Sequence, residues 1–401
     1  MIATARLGDV AEFIRGITFK PADVVSAETP GSVRCMRTKN VQAEIDLSDV
    51  WSVDSSFVKR ADQYLQAGDI LVSSANSWNL VGKCSWVPES VSGATFGGFI
   101  SVLRSNSRLV DQRYLYHWFS SPNTQARVRS FGRQTTNISN LDFARCLAMK
   151  VPLPDIAEQR RIAFVLDHVG ALRAKRREVI DLLGDLAQSI FIKMFGDPVV
   201  NPMGLPQVRL TDLGTLDRGV SKHRPRNDPR LLGGKYPLIQ TGDVAGSQGY
   251  IRTYQSTYSE MGLAQSRLWP AGTLCITIAA NIAKTGILQF DACFPDSVVG
   301  FTSDAATVEY VQTWLSFLQE NLERMAPESA QKNINLGTLR GLYVPNPGRE
   351  LIEKFANNVR VAVRMKSAAS AHLTELDALF SSLQHRAFEG KLRADSTVAA
   401  S

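Results

Sequence analysis

The chain has few cysteines, only 5 in 401 residues: Cys35, Cys84, Cys146, Cys275 and Cys293. No two form a Cys-x-x-Cys pair, and an odd number leaves no complete disulfide framework, so free thiols in a reducing compartment are expected. No apolar stretch reaches the roughly 18 residues of a membrane helix. The opening residues lack the charged segment and apolar run of a secretory signal. A cytoplasmic protein with no membrane partner is therefore expected. His117, His168, His223, His372 and His385 are scattered, with neither a His-Glu-x-x-His motif nor zinc-ligand spacing, so no metal site is expected. No Gly-x-x-x-x-Gly-Lys-Ser/Thr loop occurs, which argues against an ATP-driven motor. The acidic-or-Asn, Pro, Pro, aromatic run with which an amino-methyltransferase holds a flipped base is missing. No Gly-x-Gly-x-x-Gly follows a strand, and there is no Gly-x-Ser-x-Gly elbow. Pro295-Asp296 could open a nuclease metal site, but no Glu-x-Lys follows within reach, and the pair reads as a turn. The expectation is a chain without catalytic residues or a cofactor of its own. An enzyme whose active site carries no recognisable motif remains the alternative, and a methylation assay on the chain discriminates the two.

What the sequence does contain is the same half twice. Leu7, Asp9, Arg15 and Gly16 recur as Leu210, Asp212, Arg218 and Gly219, a shift of 203 residues (210 − 7). Thr38 and Val41 recur as Thr241 and Val244 at the same shift. Ala67-Gly68 matches Ala271-Gly272, Asn137-Ile138 matches Asn333-Ile334, and Val151-Pro152 matches Val344-Pro345. The shift changes in small steps along the chain, as short insertions and deletions in loops would cause. A period this long is a duplicated domain, not a solenoid. Apolar content of 44% and charged content of 21% suit folded cores in both halves. The net charge of +7 is compatible with a polyanionic partner but does not require one.

Each half reads as a mixed region followed by a long helix. Asp69–Ser73, Phe99–Leu103 and Thr273–Ile278 look like strands bounded by turns, and Tyr114–Phe119 and Tyr310–Leu315 look like helices. After Pro152 and Pro154 an alternation of three- and four-residue steps begins: Ile162, Val165, Val169, Leu172, Arg176, Val179, Leu183, Leu186, Ile190. The same set recurs 193 residues later as Phe355, Asn358, Ala362, Met365, Ala369, His372, Leu376, Leu379 and Leu383. This is a heptad seam on helices of about 35 to 40 residues, roughly 55 Å at 1.5 Å per residue. The two helices pair as an antiparallel coiled coil, or each packs on its own domain. The expected boundaries are a first mixed domain at 1–151, a first long helix at 152–196 and a Pro/Gly-rich linker at 197–208. A second mixed domain follows at 209–343, then a second long helix at 344–392 and a disordered tail at 393–401.

Polar and basic loops fall at matching places. Arg37, Lys39 and Asn40 face Gln240 and Asp243 in the alignment. Ser74, Asn76 and Asn79 correspond to the loop containing Asn281 and Lys284. Arg133 and Gln134 correspond to Gln331 and Lys332. The second half adds the dense run Lys222-His223-Arg224-Pro225-Arg226. Arg and Lys suit phosphates and guanine edges, and Asn and Gln suit adenine edges. Each loop taken alone reads more readily as an ordinary solvated loop. Their recurrence, with different side chains on a matched framework, is what two readers of two different sequences would need. Asn137-Ile138 and Asn333-Ile334 read either as caps at the exit into the helix or as DNA contacts.

With this order of motifs the chain resembles the specificity subunit of type I restriction-modification systems over nearly its whole length. The resemblance rests on the duplicated Leu-x-Asp…Arg-Gly, Ala-Gly, Asn-Ile and Val-Pro-x-Pro order, on Pro152–Ile162 and on Phe191–Gly196. The second copy departs at Pro347-Gly348-Arg349-Glu350, which lacks the Glu-Gln pair of the first. The resemblance implies an α+β chain with two tandem mixed α/β target-recognition domains, each reading one part of a split double-stranded DNA target. The long helices would act as the spacer between them. It also implies two methyltransferase subunits as partners, which would carry S-adenosylmethionine, and motor-nuclease subunits beyond those. A subunit of a methylation-only system, or a coiled-coil scaffold that reads no DNA, are the alternatives.

Overall fold

Ile70–Ser73 and Leu274–Thr277, apolar runs closed by turns, become the central strands of two sheets and are buried along their whole length. A computed structural model describes residues 3–106, 108–134, 138–279, 282–325 and 334–392. The chain divides into two units, residues 1–175 with 372–401, and residues 176–371.

In the first unit β1 (Ala11–Arg15), β2 (Ile70–Ser73), β3 (Cys84–Trp86) and β4 (Ile100–Ser105) form one antiparallel sheet in the order β1-β4-β2-β3. A smaller sheet of Val24–Val25, Trp51–Asp54, Ser32–Met36 and Thr95–Phe96 lies beyond it. Helix α1 (Gln112–Phe119) follows, and the chain leaves through Lys150–Pro152, paired with Thr4–Arg6, into the 40-residue helix α2 (Ile156–Phe195).

The second unit repeats this plan. Its main sheet holds β5 (Thr215–Arg218), β6 (Gly249–Ile251), β7 (Leu274–Thr277), β8 (Thr285–Leu288) and β9 (Val298–Thr302), in the order β5-β9-β7-β8-β6. The fifth strand, β6, joins β8 in parallel. Helix α3 (Ala305–Met325) corresponds to α1 and runs to 21 residues, well beyond the short helix the sequence pattern suggests. Tyr343–Pro345, paired with Gln207–Arg209, leads into the 40-residue α4 (Arg349–Phe388).

The matched residues have matched jobs. Leu7 and Leu210 are fully buried, and Asp9 and Asp212 accept the backbone N–H of Arg6 and Arg209, each at 3.0 Å. Gly16 and Gly219 pass so close to backbone carbonyls that a Cβ would sit 2.3 Å from Gly97 O and 2.4 Å from Pro295 O respectively. Gly68 and Gly272 hold φ of 91° and 86°, a conformation that side chains resist.

Within the first unit the start of α2 packs with the end of α4, and within the second the end of α2 packs with the start of α4. The two helices therefore run antiparallel. One detail differs from the expected seam. The inward stripe of α2 is Ile162, Leu166, Val169, Arg173, Arg176, Ile180, Leu183, Ala187, Ile190 and Met194; that of α4 is Phe355, Val359, Ala362, Lys366, Ala369, Leu373, Leu376, Phe380 and Leu383. Every second position lies one residue later than the sequence pattern places it. Ile162 and Phe355 are buried, and Val165, Leu183, Leu186, Ile190, Leu376 and Leu383 half-buried, but Leu172, Met365 and Leu379 are 42%, 54% and 46% exposed. Arg173 takes the inner place because Asp377 pairs with it at 2.5 Å and the Phe380 ring lies 4.4 Å from its guanidinium carbon.

A tyrosine fixes each helix exit. Tyr114 Oη donates to Pro152 O at 2.8 Å, and Tyr310 Oη donates to Pro345 O at 2.6 Å. Phe388 meets the Tyr114 ring edge-on at 5.5 Å, as Phe195 meets Tyr310 at 5.4 Å. Burial pushes both phenol pKa values up. Phe191, Phe195, Phe317 and Phe355 complete an aromatic cluster around Tyr310. Phe195→Ala is expected to cost the second unit about 3–5 kcal/mol, and Tyr310→Phe about 1–3 kcal/mol for the stranded carbonyl. Urea denaturation checks both, and a Phe195→Ala loss below Tyr310→Phe would remove this cluster as the anchor.

A buried histidine generates a pH dependence. His117 Nε2 and Arg113 Nε each lie 2.7 Å from Asp167 Oδ1. Burial lowers the His117 pKa by more than Asp167 raises it. Burial alone would raise the Asp167 carboxyl, but His117 and Arg113 hold it below its ordinary value. The arrangement is a neutral imidazole donating to a carboxylate that Arg113 balances. On acidification the unfolded chain takes up the His117 proton first, near its ordinary value of about 6.5. This stabilisation is therefore present above about pH 6.5 and lost as pH falls through the lower, folded value. Melting temperatures should drop as pH falls below about 6.5, and His117→Gln should flatten that drop. Parallel curves for both proteins would exclude His117 as its source.

Candidate nucleic-acid interface

Asn40 follows the strand Ser32–Met36 on a tight turn, and its side chain holds that turn together. It is fully buried; Nδ2 donates to Asp46 O at 2.7 Å and Asp49 O at 3.0 Å, while Oδ1 accepts from Arg37 N at 2.7 Å. Arg37 is half-buried, 3.0 Å from Asp49 and stacked 3.7 Å above Trp51. Lys39 is exposed and reaches Asp49 at 2.8 Å. Hydrogen bonds from Lys39 and Arg37 hold the Asp49 carboxyl below its ordinary pKa. In this loop Lys39 faces outward, and Asn40 shapes the backbone. In the second unit Asp243 caps Thr241–Gly246 by accepting Gln240 N at 2.8 Å, leaving the Gln240 side chain exposed. The framework valines Val41 and Val244 are buried beneath.

The loop after β2 divides in the same way. Ser74 is buried against Ser101. Asn76 Nδ2 donates to Ser73 Oγ at 3.0 Å, and its Oδ1 accepts from Ser77 N at 2.8 Å. Asn79 is exposed and accepts from Ser77 Oγ at 2.8 Å. Trp78, which sequence reasoning did not single out, is 47% exposed at the tip; a tryptophan inside a run of Ser, Ala and Asn was its signal. After β7, Thr277 Oγ1 binds both Lys284 N and Lys284 O. Lys284 is half-buried beside a cleft, and Asn281 lies outside the described residues.

Arg133 extends from the strand Gly132–Gln134 with its side chain 79% exposed and its guanidinium 2.6 Å from Asp142. The Gln134 side chain and residues 135–137, Gln331, Lys332 and Asn333 lie outside the described residues, and so does the tail from 393.

The basic run of the second unit is braced by two aspartates. His223 Nε2 lies 3.0 Å from Asp228, which also takes Arg230 at 2.7 Å; hydrogen bonds from Arg230, with His223 adding to them, push the Asp228 carboxyl well down. Arg224 donates to Ser221 O at 2.6 Å and His223 O at 2.9 Å, and both Arg224 and Arg226 reach Asp296, which lies in a turn. Lys222 is exposed. Guanidiniums held this way present donors in fixed directions, which suits phosphate and guanine.

Among the described residues no group of three or more His, Cys, Asp or Glu is placed to hold a metal, and no helix is long and apolar enough to cross a membrane. Burial pushes the Cys35, Cys84 and Cys146 thiols up to about 12, where a thiol is unreactive.

Known proteins resemble this chain in sequence and in fold. The family model of the type I restriction modification DNA specificity domain matches twice, over residues 2–182 and 204–350. The chain is similar to the type I restriction enzyme StySPI specificity subunit of Salmonella potsdam, 26% identical over 98% of this chain and 89% of that one. It is also similar to the EcoKI specificity subunit of Escherichia coli K12, 25% identical over 46% of this chain and 40% of that one. Among solved structures, the type I restriction-modification S subunit of M. genitalium shares the fold, with a TM-score of 0.60 and 14% identity over 97% of this chain and 96% of that one. A chain from a study of the assembly and conformational transition of the type I R-M system has a TM-score of 0.59 and 17% identity, over 97% and 98%.

Proposed function

The chain belongs to the type I restriction modification DNA specificity family, and from that premise we propose that it reads a bipartite, asymmetric DNA target with one module in each half. The observation that carries this reading is the contrast between framework and loops. Leu7/Leu210, Gly16/Gly219 and Tyr114/Tyr310 match in identity and in role, while in the matched loops Arg37 and the exposed Lys39 of the first half stand where the second half has the exposed Gln240 and Gly242. One scaffold with two sets of side chains reads two sequences. The chain itself contributes recognition, and methylation falls to two methyltransferase subunits that carry S-adenosylmethionine. Motor-nuclease subunits add restriction, and the whole works in the cytoplasm.

Methylation mapping of the genome with and without this gene tests the reading. Loss of a single split motif, two short parts around a fixed gap, is the expected result; an unchanged methylome would sink it. On that target, replacing Lys39 by Ala should weaken recognition of one half-site only, and replacing Lys222, Arg224 or Arg226 should weaken the other. Removing one base-reading side chain should cost about 1–3 kcal/mol. Equal weakening of both half-sites by every variant would contradict the two-reader scheme.

The long helices offer the partner surface. Leu172 and Met365 stand at equivalent positions of the repeat and both point outward, so one asymmetric chain presents the same apolar contact twice, as two identical partners require. Leu172→Glu and Met365→Glu should each lower the number of bound methyltransferase subunits from two to one, read by native mass spectrometry. Two subunits retained on both variants would move the interface elsewhere.

A further inference from the structure

The second unit carries a basic cleft. It has a volume of about 600 Å³, and Arg252, Arg360 and Arg364 line it together with Tyr250, Glu309 and Asn357. All three arginines are exposed. Arg360 donates to Asn357 at 3.0 Å, and Arg252 lies 5.0 Å from the Tyr250 ring. Among the described residues none of the three guanidiniums forms an ion pair with a carboxylate. The one carboxylate in the cleft, Glu309, is buried and accepts the Tyr250 hydroxyl at 2.6 Å. The wall is stiff, since Gln312 Nε2 also donates to Gly249 O and so ties β6 to α3.

The matched positions of the first half do not carry this charge. Arg252 follows β6, the strand for which the main sheet of the first unit has no equivalent. At the helical shift of 193 residues, Arg360 corresponds to Asp167 and Arg364 to Ala171. The cleft is also continuous with the reading loops. Arg252 lines the neighbouring hollow that contains Gln240 and Asp243, and the larger cleft of about 640 Å³ that contains Lys284 and Lys366. A basic wall therefore runs from two candidate reading loops to the face of α4.

We infer that Arg252, Arg360 and Arg364 form a phosphate-binding face that grips the DNA backbone beside the second reading module. The inference rests on the DNA-reading function proposed above and adds a component that carries no sequence information. Phosphate contacts set register and affinity, and base contacts set specificity. Guanidiniums that close no salt bridge among the described residues, fixed on a strand end and a helix, suit phosphate because each can offer two parallel donors. An acidic surface on a protein partner is the competing occupant.

The test uses the full chain with its methyltransferase subunits and two duplexes, one carrying the mapped target and one lacking it, with affinity measured from about 50 to 300 mM salt. Each phosphate that the protein no longer neutralises should make the slope of log K against log salt shallower by about 0.9. The triple variant Arg252→Ala, Arg360→Ala, Arg364→Ala should thus flatten the slope by about 2 to 3. Its affinity should fall by the same factor on both duplexes, leaving the ratio between them unchanged. The corresponding triple lysine variant, which keeps the charge, should retain most of the slope and guards against misfolding as the cause. A wild-type slope in the alanine variant overturns the inference while leaving DNA reading intact. A wild-type slope combined with failed methyltransferase assembly assigns the face to a protein partner and also overturns it. If the wild-type complex binds neither duplex, the reading function fails and the inference with it.

Discussion

A single buried hydrogen bond, made once in each half, is where sheet and helix meet. The tyrosine hydroxyl of α1 or α3 donates to the proline carbonyl of the exit strand, Tyr114 to Pro152 and Tyr310 to Pro345. A buried phenol must find a partner, and that carbonyl stands where the chain leaves the short exit strand and is about to start the long helix. The bond therefore fixes the point and direction of departure. The ring that carries it is then covered by a phenylalanine from the far end of the other long helix, Phe388 or Phe195. Each long helix begins in one unit and is clamped at its end by the tyrosine of the other. Removing either clamp would free a helix end and expose the aromatic surface it covers, which is why the cost is expected to reach that of a core cavity.

This arrangement explains what the repeat leaves constant and what it lets vary. Leu7 and Leu210, the capping Asp9 and Asp212, and the close-packed Gly16 and Gly219 serve the scaffold, and each has a packing or backbone reason that admits little substitution. The loops rest on that scaffold through second-rank residues such as Asn40 and Asp243, whose polar atoms are committed to the loop backbone. Lys39, Gln240 and Lys222 are left to face solvent. Braced loops with exposed tips limit the entropy lost on binding, and the tips can change without disturbing the support.

The strands, the repeat and the two long helices were legible because burial imposes a period on them. The helix seam was legible only at alternate positions, Ile162, Val169, Arg176, Leu183 and Ile190. Steps of three-then-four and four-then-three share those members, and at 3.6 residues per turn both lie on one face. The sequence invites the choice of Leu172 over Arg173, because the pairing with Asp377 and the Phe380 ring beneath the guanidinium only exist once α4 is in place. A long side chain can bury its stem and keep its charge satisfied. The loops were legible as places but not as orientations. Lys39 and Asn40 are neighbours of similar polarity, and which of them turns inward depends on carbonyls supplied by Asp46 and Asp49.

The repeat is least symmetric in its charges. At equivalent points where each long helix meets its own domain, the first unit sets Arg113 of α1 against Asp167 of α2, and the second sets Glu309 of α3 near Arg360 of α4. Burial raises the Glu309 carboxyl and Arg360 works against that rise. The signs are inverted. A helix docked on the wrong copy would bring Arg113 to Arg360, or Glu309 to Asp167, and so set like charges against each other. In a chain that contains one fold twice, such opposition adds a bias against the wrong pairing that apolar packing, which the two halves share, does not supply. The same inversion moves the arginine from the domain to the helix surface, where Arg364 and Arg252 join it. The device that distinguishes the two halves thus also makes the second half the more cationic of the two along this face.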